Sequence, residues 1–150
     1  MKTFKFYRSS LLIILGVFVL SSNTMSADEE ILIDTDEKAK EILLGHDWEC
    51  EWTDETHSGT SKRIYEEASL KKVTAKVKNS YCPDGWGTLE GKIEEGRVSG
   101  NFTNNPAPCV YRAFSGKIYK SADGSYYTKD SYMNFLSGVT GQFDCVAVAE

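Results

Sequence analysis

From residue 47 onward the hydrophobic positions recur every second residue, and a period of two predicts strands. In Asp47-Trp48-Glu49-Cys50-Glu51-Trp52 the rings and the sulfur fall on one face and every acid on the other. Val73, Ala75 and Val77 alternate with Thr74, Lys76 and Lys78 in the same way, and residues 62–68 form a weaker strand after a turn at His57-Ser58-Gly59. Over residues 87–102, Leu89, Gly91 and Ile93 line one arm and Val98, Gly100 and Phe102 the other, about a turn at Glu95-Gly96. That is the pattern of a hairpin. A second hairpin is expected where Ser121-Ala122-Asp123-Gly124 joins residues 116–120 to residues 126–130. The last strand, 142–148, puts Phe143, Cys145 and Ala147 on one face.

Residues 28–45 follow a different period. Asp34 with Glu37 fits a capping box, Ala39, Ile42 and Leu43 share a helical face, and Gly45 is a natural stop. The expected fold is therefore all-β: a single small antiparallel up-and-down β-barrel of about eight strands with a short N-terminal helix and two disulfides. Gly91 and Gly100, inside strands, mark sharp bends of the kind small barrels need. Closing the sheet removes its edges and pairs the first strand with the last.

Ahead of the helix, Lys2, Lys5 and Arg8 precede an uncharged apolar run over residues 11–20 and a small polar stretch over 21–27. This is the order of a secretory signal peptide. The run is about half the roughly 20 residues that a membrane-spanning helix needs. The expected organisation is a signal peptide (1–27), a helical lead-in (28–45) and a β-barrel domain (46–150), secreted or periplasmic, with no membrane insertion after cleavage. Cleavage leaves 14 cations against 22 acids, a net charge of −8 in place of −5. Such a balance repels nucleic acid, so no nucleic-acid partner is expected.

In an oxidising compartment, Cys50, Cys82, Cys109 and Cys145 are expected to form disulfides. Cys50 and Cys145 sit on inward faces of the first and last strands, which predicts their pairing. Cys82 and Cys109 flank the hairpin of residues 87–102, with Pro83, Pro106 and Pro108 placing them in loops, which predicts the second pair. The chain has no Cys-x-x-Cys motif, and its histidines are His46 and His57, so neither a metal nor a cofactor is expected.

His57 lies beside Asp54, Glu55 and Ser58, but sequence neighbours in a turn seldom converge as nucleophile, base and orienting group. The chain thus reads as a non-enzymatic binding protein. Its candidate recognition surface is Ser115, Tyr119, Tyr126, Tyr127, Lys129 and Tyr132 on the second hairpin, with Trp86 at the barrel mouth. Rings combine contact area with a polar tip, suited to an unidentified small molecule or protein. Trp48 and Trp52 read as core. Asn101-Phe102-Thr103 is a glycosylation sequon.

Two resemblances add to this. Leu44-Gly45-His46-Asp47-Trp48, a short helix running into the first strand of a meander, resembles the opening of a lipocalin-like barrel, with one extra residue relative to the superfamily's Gly-x-Trp motif. This implies the barrel fold. Ser115-Gly116-Lys117-Ile118-Tyr119 followed by Tyr127-Thr128-Lys129-Asp130 is similar to the paired loop motifs of periplasmic c-type lysozyme inhibitors, though the glycine expected between Lys129 and Asp130 is missing. That resemblance implies an alternative function, inhibition of a lysozyme-type hydrolase by loop insertion, with Ser115 and Lys129 engaging the catalytic carboxylates.

Overall fold

A computed structural model of the chain describes residues 28–80, 82–103, 112–134 and 137–148. These residues form β1 (Glu29–Ile31), α1 (Asp36–Leu44), β2 (Asp47–Asp54), β3 (Ser58–Ala68), β4 (Val73–Asn79), β5 (Cys82–Glu94), β6 (Arg97–Thr103), β7 (Arg112–Lys120), β8 (Tyr126–Asn134) and β9 (Thr140–Val148). Strands β2 to β9 follow one another in an antiparallel meander, and β9 returns to β2, closing an eight-strand barrel. The closing ladder runs from Asp47↔Val148 to Asp54↔Gly141. β1 is an addition outside this ring, paired with β7.

The alternation of β2 is as expected: Trp48, Cys50 and Trp52 are buried while Glu49 and Glu51 are exposed. Cys50 faces Cys145 across the closing ladder and the two form a disulfide. The expectation of two disulfides is corrected here, because one is found among the described residues. Among the described residues the β5–β6 ladder extends from Glu94↔Arg97 to Thr88↔Thr103, and Cys82 pairs its backbone with Asn79 of β4. Cys109 lies outside the described residues.

The first hairpin turns at Glu95 (φ 51°) and Gly96 (φ 73°), the left-handed pair that a two-residue connection requires. Within its arms Gly91 and Gly100 face each other, and a Cβ on Gly100 would lie 2.5 Å from the Gly91 Cα. This close approach explains both glycines. The helix begins one residue later than the capping box suggested: Thr35 is the N-cap, its side chain accepting from the Lys38 N–H at 3.2 Å. Ala39, Ile42 and Leu43 are its buried residues, and it packs against β3.

The barrel interior holds an ion pair. Arg63 of β3 and Asp130 of β8 both point inward, are 1% and 6% exposed, and meet at 2.5 Å. The rings of Phe143, Phe114 and Phe102 surround the guanidinium, with centroids 4.8, 5.6 and 5.7 Å from its carbon. Burial pulls the Arg63 pKa down, but the adjoining Asp130 carboxylate and Tyr65 phenol outweigh it and hold the value above the ordinary range. Gly116, directly across from Asp130, makes room for this pair, since a Cβ there would overlap the Asp130 carboxylate. The Ser-Gly and Lys-Asp motifs of β7 and β8 are therefore joined by packing: their glycine and aspartate build the core.

Candidate functional site: an outer aromatic and cationic face

Strands present side chains alternately to the two faces of a sheet, so the residues of β7 and β8 divide into two sets. Ser115, Lys117 and Tyr119 face outward from β7, and Tyr127, Lys129 and Ser131 from β8. The ladder sets them in three rows, Ser115↔Ser131, Lys117↔Lys129 and Tyr119↔Tyr127. Tyr119 and Tyr127 stack with centroids 5.2 Å apart and planes 16° from parallel, and the Lys129 ammonium lies 5.7 Å from the centre of the Tyr127 ring. Cross-strand aromatic pairs and cation–ring contacts of this kind each add modest stability and fix the side chains in place.

Two like charges directly opposite, Lys117 and Lys129, repel unless neighbours offset them. Glu30 of β1 lies 2.5 Å from Lys117, and Asp144 of β9 is the partner of Lys129 on its other side. Asp28 completes the surround by accepting from the Tyr127 hydroxyl at 2.8 Å. Burial raises the Tyr127 pKa, and the bond to Asp28 with its negative charge raises it further, to about 12. Ser115 accepts from the Arg97 guanidinium at 3.3 Å.

The other expected site residues lie elsewhere. Tyr126, one position from Tyr127, has the opposite parity; it meets the His46 ring edge-on at 5.5 Å and carries the Lys120 ammonium over its face. Tyr132 is a core residue, 3% exposed and packed on Phe143. Trp86 is exposed, but it stands on β5, two strands from β7. The structure thus brings Ser115, Tyr119, Tyr127 and Lys129 together and leaves Tyr126, Tyr132 and Trp86 apart from them.

Lys117, Asp28 and Glu30 belong to the face and were not singled out from the sequence. Alternation from Ser115 and Tyr119 already places Lys117 there. A groove of about 650 Å³ adjoins the face across β9, lined by Glu49, Glu51, Lys62, Lys78, Asp144 and Val146. The ladder connects the two, because Tyr127 pairs with Val146 and Val146 lies beside Glu49. Its residues come from β9, β2, β3 and β4, and no local sequence pattern joins them.

The turn around His57 is organised by Asp54. Its carboxylate accepts from the Thr56 N–H at 2.9 Å, the His57 N–H at 2.8 Å, the Tyr132 hydroxyl at 3.0 Å and the Thr56 hydroxyl at 3.2 Å. Burial pushes the Asp54 pKa up, but these four donors prevail and hold it at about 2. The carboxylate is thus committed to the turn. A depressed carboxylate stabilises the fold fully above its unfolded pKa of roughly 4 and loses that contribution as the pH falls through about 2. Asp54→Asn is accordingly expected to flatten the stability profile between these two values, as read from denaturant unfolding at a series of pH values. An unchanged slope would show that the hydrogen bonds do not persist in solution.

Among the described residues, no group of three or more His, Cys, Asp or Glu side chains is placed to hold a metal ion. No described helix is long and apolar enough to cross a membrane. No protein-family model, curated protein or solved structure matches the chain. The closed eight-strand antiparallel barrel is broadly consistent with calycin-type barrels in architecture.

Proposed function

We propose that the chain is an exported, non-enzymatic binding protein that recognises its partner on the outer face of β7 and β8 and along the adjoining groove, as a distant lipocalin-like barrel that has moved recognition from its interior to its wall. The observation that carries this reading is the contrast between inside and outside. The interior is occupied by Arg63, Asp130 and the rings of Phe102, Phe114, Phe143, Trp48 and Trp52. Outside, a stacked tyrosine pair and a cation are held in a fixed arrangement beside a groove. A rigid ring and a charge presented together favour a peptide or polymer partner over a small apolar molecule.

The test is a peptide and glycan array probed with the mature chain, followed by titration of the best ligand. Tyr127→Ala with Lys129→Glu is expected to weaken that binding by at least about tenfold, roughly 1.4 kcal/mol, while Trp86→Ala leaves it unchanged. Binding that survives loss of both Tyr127 and Lys129 moves the recognition surface elsewhere. The lysozyme alternative is tested beside it. Ser115 and Lys129 sit within β7 and β8, not on projecting loops, so a large excess of the protein is expected to leave c-type lysozyme activity intact. Inhibition relieved by Ser115→Ala and Lys129→Ala would restore that alternative.

A further inference from the structure

β6 accompanies β7 only as far as Arg97↔Lys117, and β1 takes over the same edge at Ile118, Tyr119 and Lys120. Without β1, alternate residues of β7 over this stretch would present unpaired N–H and C=O groups at the margin of the aromatic face, since the others are turned toward β8. Open edges of this kind are templates for strand addition. β1 is a modest occupant: three residues long, with Glu29 and Glu30 exposed and Ile31 partly buried. Its side-chain tethers, Glu30 to Lys117 and Asp28 to the Tyr127 hydroxyl, lie at the surface. Segments held by few buried contacts and solvent-exposed hydrogen bonds open most readily.

We propose that the β7 edge at residues 118–120 is a strand-addition site for an extended acidic peptide segment of another protein, and that residues 28–31 of this chain occupy it in cis. This rests on the outer-face reading and names its partner class. The cis segment displays the recognition chemistry directly. An acid three residues before the β-branched position meets the Tyr127 hydroxyl, and the next acid on that side meets Lys117, while the β-branched side chain turns inward beside Ile118. Lys129, held over Tyr127 on β8, adds a second cation to the same face, one strand in from this edge. The chain is acidic overall, with 22 acids against 17 cations, so a local site with two lysines offers an acidic segment a favourable place on an otherwise repelling surface.

The sequence positions follow from the ladder: Asp28 is the first acid, Glu30 the second, and Ile31 the residue opposite Ile118. A labelled peptide with the sequence of residues 28–33 is the probe, titrated by fluorescence anisotropy against the full chain. In a variant carrying Asp28→Lys and Glu30→Lys the cis strand is weakened, and the peptide is expected to bind at least about tenfold more tightly than it does to the unaltered chain. Adding Lys117→Glu should abolish the gain, and a peptide with lysines in place of its acids should restore it. Methylating the peptide's backbone nitrogens should remove binding altogether, because strand addition depends on them.

No gain in the weakened variant, or a gain indifferent to Lys117→Glu, overturns the strand-addition site. If the Tyr127 and Lys129 substitutions still abolish binding of the array-selected ligand, the outer-face reading stands without it. A strand-weakened variant that sediments as a dimer also overturns the proposal, since the edge would then be taken by a second copy of the chain.

Discussion

Replacing Asp130 with alanine is expected to destabilise the barrel by about 3–5 kcal/mol, because it leaves the Arg63 guanidinium charged and buried without its carboxylate. The pair is fully enclosed, with side chains 1% and 4% exposed, so water cannot take over the role of Asp130 without opening the wall. The three phenylalanine rings around the guanidinium contribute attraction, but a ring face offsets a small part of what a carboxylate supplies. Removing both charges is a different experiment. Arg63→Met with Asp130→Leu is expected to fall within about 1 kcal/mol of the unaltered protein or to exceed it, since apolar replacement of a buried pair often costs nothing. Urea unfolding of Asp130→Ala and of the double variant decides it. A loss below about 1 kcal/mol on Asp130→Ala would mean that Arg63 reaches solvent.

The second large effect is expected at Trp48, where alanine should cost about 3–5 kcal/mol. Its ring is 1% exposed and meets Tyr65 edge-on at 6.3 Å. Its backbone neighbours are Arg63 on β3 and Ala147 on β9, so the cavity would open at the seam where the barrel closes. Glu49, the next residue, faces out over the groove, and Glu49→Ala should change stability by less than about 0.5 kcal/mol. Comparable losses in the two variants, measured by chemical denaturation, would contradict the assignment of faces.

Much of this arrangement is legible in the sequence, and the parts that are not have identifiable causes. The hairpin at Glu95-Gly96 is readable because turn chemistry and alternation agree on both sides of it. The closing ladder and its disulfide follow from the inward parity of Cys50 and Cys145. β3 is harder. Ile64 is the apolar residue that hydropathy would turn inward, yet Ser61, Arg63 and Tyr65 are the buried set and Ile64 is the partly exposed one. A shift of one residue exchanges the faces of a strand, and a buried arginine gives no apolar signal to set it. The partner was in view: with Tyr127 and Lys129 outward, Asp130 must point inward, where a carboxylate needs a cation. β1 is not legible in the sequence because three residues, two of them acidic, carry no period at all. The candidate face divides in the same way. Tyr119, Tyr127 and Lys129 are brought together by alternation within one hairpin, while the groove beside them depends on contacts between strands far apart in sequence.

The Cys50–Cys145 bond also determines how the molecule responds to force. It lies across the ladder that closes the barrel, and it encloses a sequence separation of 95 residues. Pulled from its two ends, the oxidised chain can lengthen only by what lies outside that loop. On the order of 300 Å of extended chain remains hidden behind a single covalent link. Once β1 has peeled from β7, tension would be carried through the sulfurs past β3 to β8, leaving Tyr119, Tyr127 and Lys129 unloaded until a thiol cut the seam.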